Sequence, residues 1–188
     1  MSQEEIWKNI SHNCLKNKLV PEPLKALWKE KLSGSIFLEE WPFGMATLIE
    51  SYPEDIFHGY SAEFIGSKKD GEAWKRMFEE IGFFAMEDDG GLIGLWFYSE
   101  SIDSNTAPVI QLDNEGQLEV ISKNIRDYPA AKAWWDAEGD DFLKAYDVVK
   151  AWSIKHNLGN LIEASKLGEE MNFYPDPNER FEEYYEAS

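Results

Sequence analysis

The sequence predicts an α+β fold, in which an antiparallel four- to six-stranded sheet is flanked by helices and followed by a helical C-terminal extension. Four short runs of apolar, aromatic and β-branched residues, each bounded by turn residues, predict a four-stranded antiparallel meander. They span Phe83 to Met86, Leu92 to Tyr98, Pro108 to Leu112 and Leu118 to Ile121. Apolar residues at helical spacing lie before and after these runs, which is typical of an α+β domain.

The region before the meander is predicted to be mainly helical. Apolar residues recur there at helical spacing, and two prolines stand where a first helical turn accepts them. Five elements are predicted: a helix from about Gln3 to Asn17, a helix from Pro21 or Pro23 to Ser33-Gly34, a short helix from Met45 to Ser51, a short strand from Tyr60 to Ile65, and a helix from Glu72 to Ile81.

The meander itself contains two glycine-rich turns. Asp88 to Gly91 and Asp113 to Gly116 stand between predicted strands, and their glycines can adopt the positive φ that tight hairpin turns require. Each turn also carries acidic residues. The sequence therefore predicts acidic hairpin turns within the sheet.

The region after the meander returns to helical spacing. A helix is predicted over 127–135, and a long helix is predicted to start at Asp140 or Asp141 and to end by Gly159. A further helix is predicted from Leu161 to Met171, after which Pro175 and Pro177 are expected to break regular structure before an acidic aromatic tail. We therefore expect one domain over 1–188, with a core at about 20–135 and an extension at about 140–188.

The composition excludes several classes of protein. The 188 residues include 18 Lys and Arg against 36 Asp and Glu, for a net charge of −18, so an ordinary basic nucleic-acid-binding surface is not expected. Aromatic residues make up 14% of the chain, which argues against wholesale disorder. The N-terminal residues lack the apolar core of a secretory signal, and no stretch is long enough to span a bilayer. We expect a cytoplasmic protein without direct contacts to nucleic acid or membrane.

The negative charge is concentrated along the chain. No Lys or Arg lies between Arg76 and Lys123, whereas this stretch holds 10 acidic residues. Such a block either keeps the protein soluble or forms a docking face for a basic partner. For the docking face we predict charged contacts and one aromatic anchor, Trp96 or Tyr98. The predicted partner-binding residues are Glu87, Asp88, Asp89, Trp96, Tyr98, Glu100 and Asp103.

A second aromatic feature lies beyond the meander. Trp134 and Trp135 are adjacent on a predicted helix, so both cannot point inward. An exposed aromatic side chain beside acidic residues is a typical interface anchor.

No catalytic, metal or cofactor site is predicted. His12 and Cys14 are two residues apart, but His58 and His156 stand alone and paired zinc-ligand spacings are missing. Glu87 to Gly91 lacks the ligand spacing of a calcium loop. No phosphate loop or nucleophile elbow is present. A pair of carboxylates could still act in hydrolysis, so a carboxylate-based hydrolase stays a third hypothesis.

The central region resembles the SUKH superfamily, which includes Smi/Knr-like cell-wall regulators and many bacterial immunity proteins. The resemblance rests on the order of apolar strands, a Glu/Asp-Asp-Gly-Gly turn, an Ala-Pro-Val-Ile-x-Leu-Asp-x-Glu-Gly segment, a strand and a short helix. The matching residues are Asp88 to Gly91, Leu92 to Tyr98, Ala107 to Leu112, Asp113 to Gly116 and Ile125 to Ala133. The family's Asn-Gly-Gly segment is missing, and the helices after Asp140 have no counterpart.

The resemblance implies a non-enzymatic protein that acts by binding. The first hypothesis is an immunity protein that neutralises a basic toxin domain, such as a nuclease, by presenting carboxylates to its substrate cleft. The second is a regulatory or scaffolding protein of the same family without a toxin partner, in which the acidic surface only favours solvation.

Overall fold

A five-stranded antiparallel sheet forms the centre of the fold in the computed structural model, which describes residues 2–34, 46–50, 66–136, 140–167 and 175–188. The strands follow one another in chain order, and every neighbouring pair is antiparallel. The predicted α+β class is therefore confirmed. The strands are β1 (Ala46–Leu48), β2 (Ile81–Glu87), β3 (Leu92–Trp96), β4 (Val109–Leu112) and β5 (Leu118–Ser122).

Six α-helices lie in the described ranges. They are α1 (Gln3–Asn9), α2 (Glu22–Leu32), α3 (Lys68–Glu80), α4 (Tyr128–Asp136), α5 (Asp140–Lys155) and α6 (Pro177–Glu186). A π-helical turn, Ile10–Cys14, follows α1, and a 3₁₀ turn, Ala164–Lys166, follows α5. None of the helices in the described ranges has the length and apolar character needed to cross a membrane.

The four predicted meander strands are present as β2 to β5. The fifth strand, β1, corrects a prediction, because the stretch from Met45 to Ser51 was expected to be helical. Leu48 pairs with Ala85 along the outer edge of β2, and Leu48 is buried. A short apolar run has no periodicity that separates strand from helix, so the free edge of β2 decides its conformation. The predicted strand from Tyr60 to Ile65 lies outside the described residues.

Helices cover both faces of the sheet. Successive strand residues point to opposite faces, and β3 is buried along its whole length. On one face, the Trp96 indole bonds Glu80 at the end of α3. On the other face, Gly82 leaves room for the π-helical turn: a Cβ at this position would lie 2.7 Å from the Cys14 carbonyl oxygen. Lys132 of α4 contacts Glu87 on this second face.

The N-terminal helix is shorter than predicted. It was expected to continue to Asn17, but α1 gives way to the π-helical turn, and the chain then reverses with Lys16 and Asn17 at φ of 56° and 63°. The reversal places Cys14 in the core, where its thiol donates to the carbonyl of Ile49 at 3.5 Å. Burial raises the pKa of this thiol to about 12.

The C-terminal region differs from its prediction in two places. The expected helix from Leu161 is reduced, as far as the described residues extend, to the 3₁₀ turn. The expected break after Pro177 is wrong, because this proline is the first residue of α6 and the preceding Asp176 caps the helix. The first turn of a helix accepts proline, so a proline can mark the start of a helix as well as a break in regular structure.

The C-terminal helix packs on the core. The rings of Trp74 and Phe181 lie 4.6 Å apart, which joins α6 to α3. The Asn178 amide donates to the backbone carbonyl of Leu118 at 2.8 Å, which joins α6 to β5. The last helix therefore belongs to the same packed structure as the sheet.

Candidate functional site: the acidic end of the sheet

Two acidic turns meet at one end of the sheet. The β2–β3 turn and the β4–β5 turn both lie at this end because consecutive antiparallel strands reverse direction. Leu92 pairs with Leu112, and Leu112 pairs with Leu118, so the strands start and stop at the same level. Neighbouring strands are about 4.8 Å apart, which puts the centres of the two turns about 10 Å apart. We call the surface formed by Asp88, Asp89, Asp113 and Glu115 the acidic end.

The first turn is built from glycine and short acidic residues. The backbone N–H of Glu87 donates to the carbonyl of Gly91 at 2.8 Å, and Gly90 takes the positive φ of 95° that closes the loop. The Asp89 carboxylate accepts from the Gly91 N–H at 3.0 Å. Asp88 is exposed and has no side-chain partner among the residues that the structure describes.

The second turn repeats this design. The Asp113 N–H donates to the carbonyl of Gln117 at 3.0 Å, and Gly116 has a φ of 86°. The Asp113 carboxylate accepts from the N–H groups of Glu115 and Gln117 at 2.9 and 2.7 Å. Glu115 is exposed at the tip of the turn, and its carboxylate has no partner within the described ranges. Both turns thus hold their acidic tips toward solvent.

Glu87 lies beneath this surface rather than on it. Its carboxylate pairs with the Lys132 ammonium at 2.9 Å and accepts from the Gln111 amide at 2.7 Å. Both charged side chains are buried. A Cβ on Gly91 would lie 3.0 Å from the Glu87 carboxylate, so glycine permits the close packing of the turn over this pair. Glu87 therefore anchors α4 to β2, and its side chain is buried beneath the acidic end.

The other predicted site residues lie at the opposite end of the sheet. The five-residue strand β3 separates Trp96, Tyr98, Glu100 and Asp103 from Asp88 and Asp89. Trp96 is fully buried, and Tyr98 packs against it with ring centroids 4.9 Å apart. Glu100 and Asp103 are exposed, but Asp103 accepts from the N–H groups of Asn105 and Thr106. The predicted set is thus divided between two ends; of its aromatic members, Trp96 is buried and Tyr98 is half-buried against it.

The opposite end contains a cluster around Glu80. Its carboxylate accepts from Arg180 at 2.8 Å, from the Trp96 indole at 3.1 Å and from the hydroxyl of Tyr184. Arg180 also lies over the Tyr184 ring, 4.6 Å from its centroid. Burial, helped by the bond to Glu80, raises the pKa of Tyr184 to about 12, and the bond to Glu80 raises the pKa of Arg180. This cluster fastens α6 to the sheet.

The same end has a polar cavity of about 470 Å³ beside Asp127. The buried Asp127 carboxylate accepts from Asn124 at 2.8 Å, from Arg126 at 3.0 Å and from the backbone N–H of Ile162 at 3.0 Å. These bonds attach the segment after α5 to the start of α4. The Asp127 carboxylate therefore holds this part of the structure together.

Sequence reasoning found part of the acidic end and missed the rest. Asp88 and Asp89 were predicted, whereas Asp113 and Glu115 were assigned only to a turn. The signal in the sequence is that both turns are acidic and glycine-rich. In an antiparallel meander, alternate turns lie at the same end of the sheet, so the β2–β3 and β4–β5 turns must lie at one end. Trp134 and Trp135, predicted not to be buried together, are both exposed.

Comparison with known proteins adds no assignment to this geometry. Within the described ranges, no three side chains of His, Cys, Asp or Glu come together as metal ligands. No family model matches this chain, and no curated protein shows significant similarity to it.

Proposed function

We propose that this chain is a non-enzymatic binding protein that takes a basic protein partner at the acidic end. The observation that carries this proposal is the meeting of the two acidic turns. Their centres are about 10 Å apart, close to the Debye length of about 8–10 Å at moderate ionic strength, so one basic surface of a partner can contact both turns together. Asp88 and Glu115 have no structural task among the described residues, which leaves them available for contact.

The resemblance of the central region to the SUKH superfamily supports the class of partner that we propose, a basic toxin domain. A protein that cuts nucleic acid needs a positively charged substrate cleft. Carboxylates at exposed hairpin tips match such a cleft in charge, and complementary charge accelerates association. We therefore propose that the chain acts as an immunity protein by occupying this cleft.

Charge reversal with a matched control tests the docking surface. The variant Asp88→Lys/Glu115→Lys changes the net charge by +4 at the acidic end, whereas Glu182→Lys/Glu186→Lys makes the same change on the exposed side of α6. Both proteins are used to capture partners from the cell of origin at low and moderate salt, and the affinity of the captured protein is then measured. We expect the first variant to weaken binding at least tenfold and the second to weaken it no more than threefold.

The outcomes separate the hypotheses. Equal weakening by both variants would mean that only the total charge matters and would contradict docking at the acidic end. A partner that binds at this end but has no toxic activity would favour a regulatory or scaffolding protein. A toxin whose activity is blocked by the wild-type chain and not by the reversed variant would support the immunity function.

A further inference from the structure

Two adjacent tryptophans form an exposed aromatic surface. Trp134 is 38% exposed and Trp135 is 46% exposed, whereas Trp28, Trp96 and Trp152 are buried. The rings of the exposed pair are close, with centroids 6.3 Å apart and planes inclined by 56°. Tryptophan is rarely left in solvent without a reason, because it loses the free energy of burying a large apolar ring. The exposed pair therefore indicates an interaction surface.

The helix that carries this pair leads to the acidic end. Tyr128, at the start of α4, packs edge-on against Phe84 with centroids 5.8 Å apart, and Lys132 pairs with Glu87. The helix thus runs alongside β2 in the same direction. Trp135 is three residues beyond Lys132, which is about 4.5 Å further along the axis and on a neighbouring part of the helix surface. Both tryptophans therefore belong to the part of α4 that extends past Lys132 toward the acidic end. Trp135 lies next to Lys132 on the helix surface, and Trp134, two residues from Lys132, points away from the sheet.

The sequence around the pair is acidic as well. Four of the six residues from Asp136 to Asp141 are Asp or Glu, and the first basic residue after Lys132 is Lys144. A second copy of this chain, with its net charge of −18, would be repelled by an acidic sequence of this kind. A cationic partner is attracted to it. The charge around the pair therefore selects a basic occupant.

We propose that Trp134 and Trp135 form an arginine-binding surface at the acidic end, a proposal that rests on the proposed function. A guanidinium group is planar and weakly hydrated, so it stacks on an indole face while its N–H groups bond carboxylates. An ammonium group is more strongly hydrated and has no plane to stack. The basic partner is accordingly held through arginine side chains in particular, and the acidic turns supply the carboxylates beside them.

Two synthetic peptides of equal length and charge test this proposal, one with arginine and one with lysine at every basic position. Binding is measured by calorimetry at low salt, and the indole N–H signals of the chain are followed by NMR. We expect the arginine peptide to bind about three- to tenfold more tightly and to shift the signals of Trp134 and Trp135. The variant Trp134→Leu/Trp135→Leu should reduce the preference to about one. Ile154→Ala, which removes another exposed apolar side chain, should leave it unchanged.

The controls distinguish this inference from the proposed function. Asp88→Lys/Glu115→Lys should weaken both peptides and keep the part of the arginine preference that comes from stacking on Trp134 and Trp135. Equal affinity of the two peptides for the wild-type chain, or a preference that survives in the double leucine variant, would overturn the arginine-binding surface while leaving the acidic end intact as a docking site. Unaltered binding after charge reversal would overturn the proposed function instead. Failure of both peptides to bind the wild-type chain would overturn both.

Discussion

The two ends of the sheet use their carboxylates in different ways. At the end opposite the turns, Glu80 binds α6, Asp103 shapes a loop and Asp127 holds the segment after α5. At the acidic end, the tip residues Asp88 and Glu115 have no partner in the described part of the chain. Glu80 and Glu115 belong to the same block of sequence without basic residues. Charge density in a sequence therefore does not separate structural carboxylates from available ones, and the contacts of each side chain do.

The largest expected effect is at the acidic end, beneath its surface. Lys132→Met would leave the buried Glu87 carboxylate without its ammonium partner, and we expect a loss of about 3–5 kcal/mol in the free energy of unfolding, measured by urea denaturation. Glu87→Gln/Lys132→Met removes both charges and should recover most of this loss. A single variant as stable as the wild type, or a double variant less stable than the single one, would contradict the role assigned to the pair.

A smaller loss is expected at the opposite end. Asp127→Ala removes the buried acceptor for the half-buried donors of Asn124, Arg126 and Ile162, and we expect the loss of these three hydrogen bonds to cost about 1–3 kcal/mol in total. The loss should appear in the urea midpoint. Asp127→Asn keeps one carbonyl oxygen as acceptor and should lose less than the alanine variant. Equal losses for the two substitutions would mean that the hydrogen bonds of this carboxylate do not stabilise the segment.

The cluster around Glu80 predicts a dependence of stability on alkaline pH. The pKa of Tyr184 is about 12 in the folded protein, above its ordinary value of 10.0, so the contribution of its hydroxyl to stability is complete below pH 10 and is lost as the pH rises through about 12. We expect the urea midpoint of the wild type to fall more steeply between pH 10 and about 12 than that of Tyr184→Phe. Tyr185→Phe serves as the control, since Tyr185 instead packs against Lys69. Parallel curves for Tyr184→Phe and the wild type would contradict the assignment.

The smallest effect is expected at the tips of the acidic turns. Asp88→Ala/Glu115→Ala should change the free energy of unfolding by no more than about 0.5 kcal/mol, because neither side chain has a structural partner among the described residues. The same urea measurement applies. A loss comparable with that of Asp127→Ala would show that the two ends do not differ in the way described, and it would weaken the case for a binding role.

The sequence was informative where local signals agreed with the tertiary structure. In β2 to β5, apolar runs coincide with glycine-containing turns, and the meander follows from them. For β1, the local signal is ambiguous and the edge of β2 decides. For α6, the prolines predict a break in regular structure, but the contacts of Phe181 and Tyr184 with α3 stabilise a helix. A helix held mainly by tertiary contacts leaves a weak signal in its own residues.

The candidate site was predicted only in part for a related reason. Exposure of a strand residue depends on what covers each face of the sheet, and helices cover both faces of β3. The alternation of Trp96 and Phe97 therefore does not bring either ring to the surface. The exposure of Trp134 and Trp135 was easier to anticipate, because two adjacent helical residues point in different directions.

The buried Cys14 can report when the N-terminal π-helical turn moves away from the sheet. Cys14 is the only cysteine in the 188-residue sequence. Because the pKa of its thiol is raised, little of the reactive thiolate form is present near neutral pH. A thiol reagent can modify it only when the π-helical turn separates from the sheet. The rate of modification thus measures how often the π-helical turn separates from the sheet. Comparing this rate with and without a bound partner would reveal whether binding at the acidic end reduces that opening.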